Sequence, residues 1–360
     1  MSEIAAGATP AAPPREMSRF EYWPGWLFYT PVVAWWVLLG LRHGDFSLPS
    51  AANPRISTGG LCGESKSSIL DQAGPQARAW IAPYTVFRTG AGDVPRALAQ
   101  LRVAGLELPL VVKPDIGCNG TGVRLVQDED RLAETLAAFP RDVDLVLQEL
   151  IAHEGEAGVF YVRRPGEEHG RITSLTHKQA PILVGDGRST LRDLIMADPR
   201  TRLVPHLYMP RLHDRLESVP GAGVAIRLVF AGNHCKGSIF LNGNADITAA
   251  LTTCIESIVS DIPDFHFGRI DLRYRSLAAL RRGEDFRIIE INGVGSEATH
   301  IWDASTTLRD AYRVQFEHYR EAFEIGAEMR ARGHGSSGVL AMLRDWRKQR
   351  RLMASYPLND

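Results

Sequence analysis

The sequence predicts an α/β (α+β) fold, on three observations. Short runs of branched and apolar residues, such as Leu110-Val111-Val112 and Leu145-Val146-Leu147, are bounded by turn formers and read as strands. Other segments carry helical spacing: over Asp128–Phe139 the apolar residues Leu132, Leu136 and Phe139 recur near the helical period, and helices are also expected over Leu191–Ala197, Ile247–Val259 and Leu308–Met329. A chain of 360 residues has enough length for two or three small domains, each with a substantial core.

Composition narrows the function classes. Lysine and arginine total 41 against 42 acidic residues, a formal net charge of -1, so no global attraction to nucleic acid is implied. Cys62, Cys118, Cys235 and Cys254 are far apart and show no paired metal-ligand spacing, so they read as free thiols in a reducing, cytoplasmic compartment. There is no internal repeat and no Ser-His-Asp pattern.

From the N-terminus, residues 1–14 are rich in Ala, Gly and Pro, and a disordered stretch over 1–19 is expected. Tyr22 to Leu41 is free of charge and approaches the ~20 residues that span a bilayer. Pro24 and Pro31 interrupt it, and its Trp and Tyr content favours a headgroup interface. Arg19 and Arg42 flank it without orientation bias, and no signal-peptide cleavage site follows. Three readings stay open: a segment lying in the membrane surface, a spanning helix, or a buried core helix. Next, Asn53 to Lys66 is a Gly-rich turn leading toward a helix; Arg55 and Lys66 there either meet an anionic substrate or belong to a structural turn.

The strand Leu110-Val111-Val112 runs into Lys113-Pro114-Asp115-Ile116-Gly117-Cys118-Asn119-Gly120-Thr121-Gly122-Val123. Gly117, Gly120 and Gly122 let the backbone approach a phosphate chain, and Lys113 supplies a point charge at the strand end. The spacing is neither a Walker A loop nor a dinucleotide fingerprint. Further on, Asp144 to Ile151 ends a strand in Gln148-Glu149 and continues apolar, a segment able to meet an adenine edge and face, with Glu156 within reach of a ribose.

The most informative pair is Gly268-Arg269-Ile270-Asp271-Leu272 and, 19 residues after Asp271, Glu290-Ile291-Asn292-Gly293. Strand alternation would bring Asp271, Glu290 and Asn292 to one face, a hard-oxygen set suited to Mg²⁺ beside phosphates. At the C-terminal end, Val339 to Met353 is basic and partly amphipathic, either a membrane-surface helix or a solvated terminal one.

Taken in order, the Lys-Pro-Gly-rich loop, Gln-Glu-Leu-Ile, Arg-Ile-Asp and Glu-Ile-Asn resemble the ATP-grasp superfamily, carboxylate–amine ligase type, over about Ile81 to Glu324. The loop is similar to that of cyanophycin synthetase and bifunctional glutathione synthetase, as is Ile182 to Leu191; Arg269-Ile270-Asp271 and Glu290-Ile291-Asn292 are close to their counterparts in D-alanine–D-alanine ligases. The resemblance implies an ATP-grasp fold of two subdomains with ATP in the cleft between them. The smaller would cover 81–150 and the larger 151–325, preceded by a short atypical region over 20–80 and followed by a basic tail or helix over 326–360.

It also implies residue roles. Lys113 and Lys178 would contact phosphates. Gln148 or Glu149, with Ile151, would meet adenine, and Glu156 the ribose. Asp271, Glu290 and Asn292 would hold Mg²⁺ or Mn²⁺, and Arg269 would stabilise charge on the transferred acyl group. The implied partners are a small-molecule carboxylate and an amine, joined through an acyl phosphate with release of ADP and phosphate. Residues 293–303 depart from the substrate loop of D-alanine ligases, leaving the substrates open. A kinase acting on a hydroxyl and a non-catalytic nucleotide-binding module are the rival classes. The two apolar or basic segments, 22–41 and 339–353, give the expectation of a cytoplasmic protein held at the inner membrane surface.

Overall fold

A computed structural model describes residues 17–360. The expectation of disorder over 1–19 falls almost wholly outside the described residues. The first half holds a four-stranded antiparallel sheet of β1 (Tyr84–Arg88), β2 (Leu110–Pro114), β3 (Arg124–Val126) and β4 (Asp144–Glu149), ordered β1-β4-β2-β3. Strand alternation gives it two faces. Leu110, Val112, Leu145 and Leu147 are buried against Ala97, Leu101, Leu132 and Leu136 of the helices Asp93–Ala104 and Glu129–Ala138. Lys113 and Gln148 lie in the opposite phase. Asp128 caps the second helix, its carboxylate accepting from Arg131 N at 2.8 Å.

The second half holds β5 (Gly155–Val162), β6 (Arg171–Gln179), the short ribbon β7 (Ile182–Val184) with β8 (Ala225–Arg227), then β9 (Ile239–Asn242), β10 (Phe267–Tyr274) and β11 (Phe286–Asn292). The larger sheet is antiparallel in the order β11-β10-β5-β6-β9. On β5, Ala157, Val159 and Tyr161 enter one core with Leu251, Ile255 and Ile258 of the helix Ala249–Val259. Phe160 and Val162 pack on the other side with Ala322, Ile325 and Met329 of the long helix Leu308–Ala331. β8 and β9 are short, at Ala225–Arg227 and Ile239–Asn242. A 3₁₀ turn at His234–Lys236, capped by the Asn233 side chain, delays the second strand until Ile239.

The apolar stretch from Tyr22 forms the helix Gly25–His43, closed by Gly44 at φ 68°. No helix among the described residues is long and apolar enough to cross a membrane, which removes the spanning reading. Instead one face docks on the long helix. Trp35 Nε1 donates to Phe316 O at 2.9 Å, Trp36 packs on Tyr319 and Phe323, and Phe28 stacks on Tyr312. The other face, with Trp26, Val33, Val37, Leu38 and Leu41, is exposed.

The C-terminal helix Val339–Met353 spans the two halves. Near its start, Met342 O lies 3.4 Å from Cys62 Sγ; beyond its end, Tyr356 donates to Ile116 O at 3.0 Å, and the Asp360 carboxylate accepts from Leu125 N and Arg124, each at 2.8 Å. Gln349 is its only buried residue, and it faces the cleft.

Candidate functional site

Between the two sheets lies a cleft of about 570 Å³. Its walls include Lys113, Gly117, Gly120, Gln148, Glu149, Ile151, Glu156, Lys178, Arg269, Asp271, Glu290 and Asn292. Gly122 is not among the lining residues. It turns the loop at φ 74°, and a side chain there would meet the Pro114 ring at 2.9 Å.

Strand register explains the convergence. Asp271 on β10 faces Glu290 on β11, and Arg269 faces Asn292. Asn292 Nδ2 stands 3.4 Å from Asp271 Oδ2. On the other side of β10, Glu156 on β5 pairs with Lys178 on β6. Asp271 Oδ1 takes Lys178 Nζ at 2.9 Å and Arg269 Nε at 2.8 Å, while Oδ2 takes Arg269 Nη2 at 3.1 Å. Burial raises the Asp271 pKa, but these two cations outweigh it and hold the carboxyl below its usual range. Glu156 lies 3.6 Å from Lys178 and 3.4 Å from Arg273.

Lys113 comes from the small sheet and reaches across the cleft. Its ammonium donates to Gln148 Oε1 at 2.9 Å and to Ile289 O on β11 at 2.7 Å. Complete burial pushes its pKa down to about 8, with Glu290 and Asp271 pulling the other way. Gln148 also donates to Ala82 O at 3.3 Å, so its amide is engaged inward, whereas Glu149 is exposed at the cleft rim.

The donor chemistry fits magnesium. Two carboxylates and an amide oxygen on adjacent strands supply hard ligands, and Mg²⁺ takes its remaining positions from water and phosphate. Among the described residues no cluster of three His, Cys, Asp or Glu would hold a metal unaided.

Several cleft residues carried no sequence assignment. Lys66, left open between turn and ligand contact, donates to Gly117 O at 2.6 Å and stands 3.6 Å from Glu290, so it faces the phosphate loop. Arg55 instead pairs with Asp264 at the surface, at 2.6 Å. Glu64, Glu297, Tyr29, Tyr319 and Gln349 also line the cleft. The Gly59-Gly60 turn before Glu64 was the available signal: Gly60 abuts Gly293, and a Cβ there would stand 2.6 Å from its Cα.

Two antiparallel sheets, each backed by helices, close on one cleft, as the two-subdomain expectation from the sequence had it. No family model and no curated protein matches the chain. Among solved structures it is similar to a bifunctional glutathione synthetase from Pasteurella multocida, at 15% identity over 70% of this chain and 36% of that one, TM-score 0.36. It is also similar to the VanG D-Ala:D-Ser ligase from Enterococcus faecalis, at 14% identity over 72% and 63% of the two chains, TM-score 0.40. A third is the D-cycloserine synthetase DcsG, at 15% identity over 73% and 70%, TM-score 0.38. The chain thus spans about a third of the glutathione synthetase and under two thirds of the D-Ala:D-Ser ligase.

Proposed function

We propose that the cleft binds ATP and that the protein joins a carboxylate to an amine with release of ADP and phosphate. The observation that supports this most is the meeting of Lys113 from one sheet with Lys178, Arg269, Asp271 and Glu290 from the other. Adenine would rest against the Gln148–Ile151 segment, with Glu156 toward the ribose. The backbone of the Gly117–Gly122 loop would cover the phosphates. Asp271, Glu290 and Asn292 would hold Mg²⁺, which supplies charge neutralisation at the phosphate oxygens.

In this reading Lys113 and Lys178 balance charge on the moving phosphoryl group as a substrate carboxylate oxygen bonds to the γ-phosphorus and ADP leaves. An amine then bonds to the acyl carbon of the acyl phosphate. The Arg269 guanidinium stabilises the tetrahedral oxyanion, phosphate departs, and the surplus amine proton is released. Incubation with ATP, magnesium, pools of acids and amines, and hydroxylamine as a trap tests this. Hydroxamate formation supports the ligase; a stable phosphorylated alcohol supports a kinase; absence of ADP with every pool leaves only a binding module.

A second reading concerns location. The exposed face of the helix Gly25–His43 presents Trp26 (74% exposed), Val33, Val37, Leu38 and Leu41 (65% exposed) without a charge until Arg42. The C-terminal helix exposes Leu340, Leu343 and Trp346 among basic residues. An apolar face and a basic amphipathic helix are two weak anchors that together hold a protein at an anionic membrane surface. Co-flotation with anionic liposomes at low salt is the expected result; a protein that stays unbound would sink this reading.

A further inference from the structure

The cleft continues past Arg269 into a part that the nucleotide and metal roles do not use. Its chief polar group is Glu297, in the turn after β11. Two elements distant in sequence hold one of its oxygens. Tyr29 of the N-terminal helix donates to Oε1 at 2.7 Å, and Gln315 of the long helix donates to the same atom at 2.8 Å. The second oxygen, Oε2, has no partner among the described residues. Two neutral donors on one oxygen fix the carboxylate without cancelling its charge, and they leave the other oxygen open to a ligand.

One more group at this end is unsatisfied. Tyr319 lines the cleft, and its hydroxyl has no hydrogen-bond partner among the described residues. The open carboxylate oxygen of Glu297 gives a cation in the cleft a charge-assisted partner. The aromatic wall of Tyr29, Tyr319 and Trp302 suits the same kind of ligand, since ring faces attract an ammonium.

From these contacts we infer that the far end of the cleft is an ammonium subsite in which Glu297 receives the amino group of the acceptor substrate, with Tyr319 completing its polar wall. The substrate class is a primary amine that arrives as its cation; the Glu297 carboxylate takes one ammonium proton, the neutral amine bonds to the acyl carbon, and its second proton leaves as phosphate departs. Position favours this role: Arg269 Nη1 donates to the backbone carbonyl of Glu297 at 3.4 Å, so the guanidinium assigned to the oxyanion is tied to the residue that carries the carboxylate assigned to the amine. Tyr29 is a positioning residue, and through it the N-terminal helix becomes part of the substrate site. The inference rests on the ligase reading.

The test compares two acceptors in the same ATP- and magnesium-dependent assay. Hydroxylamine is uncharged at neutral pH, whereas alkylamines and amino-acid amides are cationic. For Glu297→Gln, the loss of product with the cationic amine pool is expected to exceed the loss of hydroxamate at least tenfold, mainly through a raised amine KM. Glu297→Asp should recover part of that loss, and Tyr29→Phe should fall between wild type and Glu297→Gln. Equal losses with both acceptors, or a wild type that forms hydroxamate but uses no cationic amine, would overturn the subsite while leaving the ligase standing. A wild type that forms no hydroxamate would overturn the ligase reading and this inference with it.

Discussion

Lys178 Nζ lies 2.9 Å from Asp271 Oδ1, although their strands, β6 and β10, are not neighbours. The intervening strand, β5, places Gly158 opposite Asp271 on one side and opposite Thr176 on the other. With no side chain at Gly158, the lysine and the carboxylate meet above the sheet. A Cβ there would stand 3.0 Å from both Arg269 Cδ and Asp271 Oδ1. Gly158→Val should therefore displace this cluster and weaken ATP binding by roughly tenfold or more, as loss of ordered charge in a phosphate site does. Titration with ATP measures it, and unchanged affinity would detach the cluster from the phosphates.

The two carboxylates should respond differently to neutralisation. Glu290 is about one quarter exposed, with Lys66 3.6 Å away, so Glu290→Gln should abolish ADP release with little change in stability. Asp271 is buried between two cations, and Asp271→Asn should abolish ADP release and also cost about 3–5 kcal/mol, because it strands those cations. Turnover and denaturant midpoints measured on both variants separate the effects. Near wild-type turnover in either variant would refute the metal role.

Much of this site was legible because strand alternation and short motifs are local. Asp271, Glu290 and Asn292 converge as their spacing implied, and Lys113 ends its strand facing the cleft. What was not legible depended on contacts distant in sequence. Tyr29 and Glu297 are 268 residues apart, and no periodicity links them. The helix Gly25–His43 is apolar almost all round, so its pattern did not say which face would dock. Gln148 showed the same limit: its motif suggested adenine, but its amide is turned to Lys113, a partner 35 residues away.

Lys113 gives the site a pH signature. Its pKa is pushed down to about 8 by burial, so the free protein loses this charge as pH rises through that value. Phosphates select the protonated amine, and nucleotide affinity should fall above about pH 8, approaching tenfold per unit. Lys113→Met should bind ATP weakly at all pH values, with a flatter profile. Metal-free titrations between pH 7 and 9 decide this; a flat wild-type profile would mean that Lys113 does not meet the phosphates. For Lys178→Met, an unchanged rate and affinity would remove Lys178 from the phosphate site.

His318 sets an acid limit on stability. Its ring is buried between Phe160 and Phe267, and Nε2–H donates to Ser296 O at 3.1 Å, anchoring the turn that carries Glu297. Burial pushes its pKa from the usual 6.5 to about 3. Between those values the unfolded chain binds a proton that the native state does not. Stability is therefore present above about pH 6.5 and falls as pH drops, by up to about 1.4 kcal/mol per unit. His318→Gln, which keeps an N–H donor, should flatten that dependence in urea unfolding between pH 6 and 4. An unchanged slope would assign the acid sensitivity to other groups.

The two faces of the N-terminal helix should separate under substitution. Val37 and Leu41 lie on the exposed face at 42% and 65%, so Val37→Asp or Leu41→Asp should leave folding within about 0.5 kcal/mol of wild type. Each places a carboxylate where the lipid reading needs an apolar surface, so liposome co-flotation should drop several-fold. Val32 and Phe28 are buried on the docked face, and Val32→Asp should unfold the contact with the long helix, because it buries an unpaired charge. If Val37→Asp and Leu41→Asp floated as well as wild type, the exposed stripe would have no role at a membrane. If they unfolded the protein as Val32→Asp does, the helix would be docked on a face other than the one described.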